Sequence, residues 1–176
     1  FWMMIIKQSW PYALLILLMT IYYRTDGIML ERMLPNGAWY AGIYAQGFRL
    51  LDALNMVGYI FAALLLPILS NMIKKRQGVT ELYFLALRLI LIVAICVSIS
   101  SYLYRYEIMT SLYVDHIEKS VTVFSLLMIC FIPVAIMHIS GTLLTATGDI
   151  RSFNKIAVTS VLVNIGMNAF LIPYWN

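Results

Sequence analysis

Five stretches of this chain are each long and apolar enough to cross a lipid bilayer, and no other feature constrains its fold as much. A helix needs about 20 mostly apolar residues to span the hydrocarbon. The stretches cover about residues 10–30, 38–73, 82–104, 121–146 and 156–172. The second is longer than one crossing requires, so it tilts or continues past the membrane. Pro35-Asn36-Gly37 predicts a tight turn between the first two. Lys74 to Gly78, the polar run Arg105 to Lys119, and Gly148 to Lys155 supply the other links. Links this short make consecutive helices run up and down. The expected architecture is an all-α, polytopic bundle of about five transmembrane helices, one membrane segment over residues 1–176.

Composition excludes the alternatives. Of 176 residues, 62% are hydrophobic and 11% charged, with a mean hydropathy of +0.87. Soluble domains carry about 25% charged residues, so a water-exposed globule of this size could not cover its surface. A disordered tail and a secreted disulfide scaffold are excluded on the same ground. Cys96 and Cys130 lie inside apolar runs without metal-ligand spacing and read as small hydrophobes. No zincin, nucleophile-elbow, P-loop or dinucleotide motif is present, and the short links leave no room for a soluble catalytic unit. An enzyme is not expected, nor is a nucleic-acid partner, since no basic patch is interleaved with aromatics. The start shows no signal-peptide layout and the end follows an apolar segment directly, so the chain reads as a piece of something longer.

Basic residues set the expected orientation. Lys7, Lys74, Lys75, Arg76, Arg151 and Lys155 fall on one side, and Arg32, Arg105 and Lys119 on the other, beside Glu31, Glu107, Asp115 and Glu118. The positive-inside rule puts the first side, with the amino terminus, in the cytoplasm. Trp10, Tyr12, Trp39, Tyr40, Tyr102, Tyr104 and Trp175 lie near segment ends, as interfacial belts require.

Five ionisable residues remain inside the spans: Arg24, Asp26, Arg49, Asp52 and Arg88. Each costs about 2.5–3.5 kcal/mol at a helix centre on insertion scales, so each must pair or face a polar cavity. Arg24 and Asp26 are about 200° apart around a helix and cannot pair on one face; near the end of the span they could also reach the headgroups. Ala41, Ala45, Arg49, Asp52, Asn55, Met56, Tyr59 and Ala63 follow helical spacing and form one stripe. That stripe reads either as a local ion pair locking helices together or as the wall of a wetted cavity. Arg88 reads either as reaching the headgroups or as lining the same cavity. A cavity with three arginines and two aspartates suits an anionic passenger, because guanidinium grips phosphate through a planar fork.

Further along, Pro133 is expected to kink its helix. His138 reads as a hydrogen-bonded packing residue more readily than as a proton relay. Ser160, Asn164 and Asn168 recur every four residues and are expected to tie neighbouring helices together.

From Tyr22 to Leu30, Ala41 to Leu50, Gly141 to Gly148 and Asn164 to Pro173, the order of motifs resembles that of bacterial oligosaccharide flippases of the multidrug/oligosaccharidyl-lipid/polysaccharide exporter superfamily. The stretch Tyr22-Tyr23-Arg24-Thr25-Asp26-Gly27-Ile28-Met29-Leu30 is similar to one of their helix ends. Ala41-Gly42-Ile43-Tyr44 with Phe48-Arg49-Leu50, then Pro67 and the basic loop at Lys74, resemble the next segment. Gly141 to Gly148 and Asn164 to Pro173 resemble later helices. The resemblance implies the seventh to eleventh helices of a transporter with 12 to 14, together with the remaining half of that transporter. It implies alternating access around a central cavity in the bacterial inner membrane. The passenger it implies is an undecaprenyl-diphosphate-linked oligosaccharide destined for O-antigen, capsule or exopolysaccharide. Arg24, Arg49 and Arg88 would then attract the diphosphate or acidic sugars, while Asp26 and Asp52 balance them and bind a coupling proton or sodium ion. A cation-coupled drug exporter of the same superfamily and a non-transporting membrane scaffold are the alternatives.

Overall fold

In a computed structural model of the chain the described residues are 2–174, with Trp2, Met4 and Gln8 described by backbone alone. Trp175 therefore lies outside the described residues. The chain forms α1 (Trp2–Met33), α2 (Gly37–Lys74), α3 (Thr80–Leu103), α4 (Arg105–Leu112), α5 (Ile117–Ala146) and α6 (Ile150–Tyr174). All but α4 carry an apolar window long enough to cross a membrane. This is an all-α, multi-pass membrane protein.

The helix limits depart from the apolar stretches for local reasons. α1 begins at Trp2, well before Trp10, because an apolar window marks where lipid begins and the helix runs on through Lys7 and Ser9. α6 begins at Ile150 instead of near Ile156. There an Asp149 side-chain oxygen accepts the backbone N–H of Ser152 at 3.2 Å and caps the first turn. A hydrogen bond from the Ser152 side chain, and then this backbone bond, hold the exposed Asp149 carboxyl below the usual carboxylate range, with smaller help from Lys155. The run Arg105 to Lys119, expected to be a link, contains α4. No apolar periodicity marks α4, and its Arg105 bonds the Tyr102 carbonyl at 2.8 Å and lies over the Tyr102 ring. α5 passes through Pro133 without a break.

The turns explain two residue choices. Asn36 takes a left-handed φ of 62°, and Gly37 follows because a Cβ there would lie 2.1 Å from the Glu31 carbonyl oxygen. At the end of α2 the left-handed position falls on Arg76 (φ 56°), not on Gly78. Arg76 N–H bonds Ile73 O at 3.0 Å and Gln77 N–H bonds Met72 O at 2.9 Å, the paired pattern that closes a helix after a left-handed residue.

The chain divides into two compact units: a terminal unit of residues 1–41 with 148–176, and a central unit of residues 42–147. In the terminal unit α1 packs against α6. Ile150, Asn154, Ala157, Val161, Asn164 and Asn168 form the sheltered stripe of α6, spaced alternately four and three apart. That spacing keeps one seam against a neighbouring helix.

In the central unit α5 is the most buried helix, with Phe124, Met128, Phe131, Ala135 and Ile139 in the core. Lipid tails are as apolar as leucine, so helices in a membrane associate through close approach and interhelical hydrogen bonds. Both devices are present. Gly47 of α2 brings its backbone against Phe124, where an added Cβ would lie 3.2 Å from the Phe124 Cα. On α3 the buried residues are Ala86, Ile90, Ala94 and Ser98, all small but one. Ser98 Oγ donates to the Met128 carbonyl at 2.6 Å, and Tyr83 OH shares a 3.1 Å hydrogen bond with Ser140 Oγ. Ser120 Oγ bonds the Gln46 side chain where α5 begins.

Candidate functional site

The intramembrane polar residues fall into three groups. In the terminal unit, Asp26 turns toward α6, where Asn164 Nδ2 and Asn168 Nδ2 both donate to its Oδ1, at 2.8 and 2.6 Å. Asn154 Nδ2 adds a bond to the Pro11 carbonyl at 2.9 Å. The asparagines thus tie α6 to α1, as their spacing predicted; Ser160, about 100° off the sheltered stripe, stays exposed. Arg24 is exposed, on a different face from Asp26, as a two-residue separation requires.

The second group is the outer face of α2. Arg49, Asp52 and Tyr59 are exposed, as is Met56 beside them. Although three residues apart, Arg49 and Asp52 make neither an ion pair nor a hydrogen bond among the described residues. The reading as a local helix-locking pair does not describe them. The opposite face of α2, with Leu51, Leu65 and Leu69, enters the core. Asn55 leaves the expected stripe: it is 1% exposed and sits in the seam. At about 100° per residue, position 55 lies at the stripe's edge, nearer to Leu51 than to Arg49.

Depth separates members of this face. At ~1.5 Å per residue, Tyr59 lies about 22 Å and Arg49 about 37 Å before Lys74. Measured from that basic turn, Tyr59 falls inside a ~30 Å core and Arg49 near its far edge.

Arg88 is exposed and lines a hollow of about 300 Å³ with Thr80, Glu81, Phe84 and Leu85. All belong to the face of α3 that points away from Ala86 and Ala94. A larger hollow, about 640 Å³, lies between α3 and α4, lined by Cys96, Ser100, Ser101, Tyr104, Glu107 and Ser111 among others. Sequence reading missed it because α4 gives no apolar signal. Cys96 and Cys130 are both exposed free thiols.

The third group is the seam between α2 and α5. His138 is buried and rests on Gly58, where an added Cβ would lie 2.5 Å from the imidazole Cδ2. Its ring meets Tyr59 edge-on at 4.6 Å between centroids. The imidazole packs as expected, but the expected hydrogen bond is missing: Nε2 is buried without a partner, and so is Asn55 Oδ1. Thr142 and Thr145 instead satisfy their hydroxyls on the carbonyls of His138 and Gly141.

Fold and polar groups together define a polytopic helical membrane protein with unsatisfied and exposed polar residues inside its spans. No family model matches the chain, and no curated protein or solved structure matches it either. Among the described residues no cluster of His, Cys, Asp and Glu could hold a metal ion.

Proposed function

We propose that this chain is part of a transporter that turns an undecaprenyl-diphosphate-linked oligosaccharide from the cytoplasmic to the periplasmic leaflet of the bacterial inner membrane, by alternating access. The observation that carries this reading is the outer face of α2. Arg49 and Asp52 stand exposed on a helix whose other face holds the core, and neither is used to bind that core together. By their distance from Lys74 these two charges stand at the far edge of the ~30 Å core, so the face offers an ionic mouth at the headgroups with Tyr59 deeper on the same side. A face of that kind can carry a diphosphate headgroup while the prenyl tail stays in lipid. Arginine is the suited residue, because its fork takes two phosphate oxygens at once.

In this reading Arg49 engages the diphosphate at one mouth of the path, Tyr59 lines the path deeper in, and Arg24 and Arg88 add positive charge. Asp52 balances the arginines. Asp26, whose carboxyl is held by the amide N–H groups of Asn164 and Asn168, is in this reading the seat of a coupling proton or sodium ion. The amino terminus of the chain faces the cytoplasm, where Lys74, Lys75 and Arg76 meet anionic headgroups.

The test replaces Arg49 by Ala and by Lys in the full-length protein and measures surface polysaccharide alongside membrane insertion. Arg49→Ala lowers polysaccharide at least tenfold with normal insertion, and Arg49→Lys gives an intermediate loss because the charge stays and the fork goes. Normal polysaccharide from a normally inserted Arg49→Ala protein rejects the cargo. Loss of the membrane fold itself points to a scaffold. Glycosyltransferase and polysaccharide-polymerase reading frames beside the gene would support the reading independently.

A further inference from the structure

The seam between α2 and α5 holds two buried polar groups that the transport reading does not use. His138 Nε2 and Asn55 Oδ1 are both without a hydrogen-bond partner, and Asn55 and Gly58, on which the imidazole rests, are one turn apart on the sheltered face of α2. Buried polar groups are nearly always satisfied, so two orphans in one seam require a reason. Their chemistry is complementary. Asn55 Oδ1 accepts, while an imidazole nitrogen donates when it bears a proton. The Tyr59 ring meets the imidazole edge-on at 4.6 Å between centroids, and an imidazolium turned toward the face of that ring would be attracted by it. A buried charge is costly without compensation, and what the seam offers against that cost is the Asn55 oxygen, one turn from Gly58 on α2, and the Tyr59 ring.

We propose that Asn55, Tyr59 and His138 form a proton-binding site in the α2–α5 seam. The imidazole takes a proton from water, and the resulting imidazolium is held by the Asn55 carboxamide oxygen and the Tyr59 ring. No other bond forms or breaks. Tyr59 is 51% exposed, so the site lies one aromatic ring away from the outside of the central unit.

Within the central unit no charged group competes for that proton at close range among the described residues. The nearest charged residues of α2 are Asp52 and Arg49, about two and three turns before Tyr59, and both are exposed. From α3, Tyr83 reaches Ser140, while Glu81 and Arg88 lie on its far face. On α5 itself, Glu118 and Lys119 are about 30 Å away along the helix at ~1.5 Å per residue. That end of α5 is also where Ser120 meets Gln46 and where Tyr113 bonds the Gln46 carbonyl, and it is the end that follows α4 with its Arg105 and Glu107. The protonation is therefore that of a single imidazole in a neutral, aromatic setting.

The site stands apart from the cargo, because a protein that carried nothing would still bind this proton. The experiment is a pH titration of the full-length protein in lipid nanodiscs, labelled at histidine and followed by NMR, with His138→Gln identifying the signal. The result expected is a change of charge at the His138 imidazole within the range in which histidine works as a switch, between about pH 5 and 8. Asn55→Leu lowers its proton affinity about tenfold, one pH unit of midpoint. Asn55→Asp raises it, and Tyr59→Leu, at an exposed position, gives a smaller loss. An imidazole that keeps one charge state across that range overturns the proposal. So does a titration that neither Asn55 variant moves. Where Asn55→Leu fails to fold, the wild-type titration and Tyr59→Leu decide.

Discussion

The terminal and central units treat buried amides in opposite ways. Between α1 and α6, Asp26 accepts two carboxamide donors and the cluster is closed. Between α2 and α5, an asparagine and a histidine are buried deeper and left open. Both clusters consist of one ionisable residue and carboxamide on neighbouring helices. The difference lies in what each group faces. A carboxyl oxygen opposite N–H donors completes a hydrogen-bonded tie, whereas an imidazole resting on a glycine, with an amide oxygen a turn away, completes nothing. The first arrangement fastens helices together. The second leaves an imidazole nitrogen and an amide oxygen open.

The largest effect expected breaks the closed cluster. Asp26→Leu leaves two amides without their acceptor and costs about 3 kcal/mol, since each hydrogen bond to a carboxylate contributes about 1.5–3 kcal/mol. Asp26→Asn, which keeps an acceptor oxygen, costs far less. Reversible unfolding in lipid or detergent measures both. By contrast, Asn55→Leu is near neutral for stability at neutral pH, because it removes a buried acceptor that has no partner; a loss like that of Asp26→Leu would erase the contrast between the units.

Next comes Gly58→Ala. Its Cβ meets the His138 ring at 2.5 Å, and overpacking of this kind costs about 1–3 kcal/mol. The penalty disappears in a His138→Ala background, a coupling that a double-mutant cycle reads directly. Equal penalties in both backgrounds would mean that α2 and α5 do not meet at this point.

Ser98→Ala removes the 2.6 Å bond from α3 to the Met128 carbonyl and costs about 1 kcal/mol. It sharpens the comparison, because it shows that the central unit also contains closed ties away from His138. The smallest effect is at Asp149. The Ser152 hydrogen bonds depress its folded pKa below the unfolded value, so its contribution is present above the unfolded value. It is lost as the pH falls through the depressed one. Hydrogen exchange at the Ser152 amide speeds up in that acid window, and Asp149→Ala abolishes the pH dependence.

Much of the fold was legible because the signal was long and redundant. Five apolar windows fix five helices, and the four-residue spacing of Asn164 and Asn168 marks them as a tie before any partner is known. α4 was not legible, since a short polar helix has neither apolar run nor periodicity to announce it. The α2 stripe was half legible. Arg49, Asp52 and Tyr59 fall on one exposed face as their spacing requires, but Asn55 sits where a ~40° difference in direction decides between seam and surface.

The amino-acid sequence alone determined that this is a bundle of membrane helices, because the length and apolarity of each span are local properties that lipid reads one segment at a time. It also determined that Arg24 and Asp26 look different ways. Only the tertiary structure decided that Asp26 meets two amides, that Arg49 and Asp52 do not meet each other, and that His138 lies on Gly58 with Nε2 unpaired. Those outcomes depend on which helix stands opposite and at what register. Inside a membrane that choice rests on close approach and hydrogen bonding between helices, which no single segment contains.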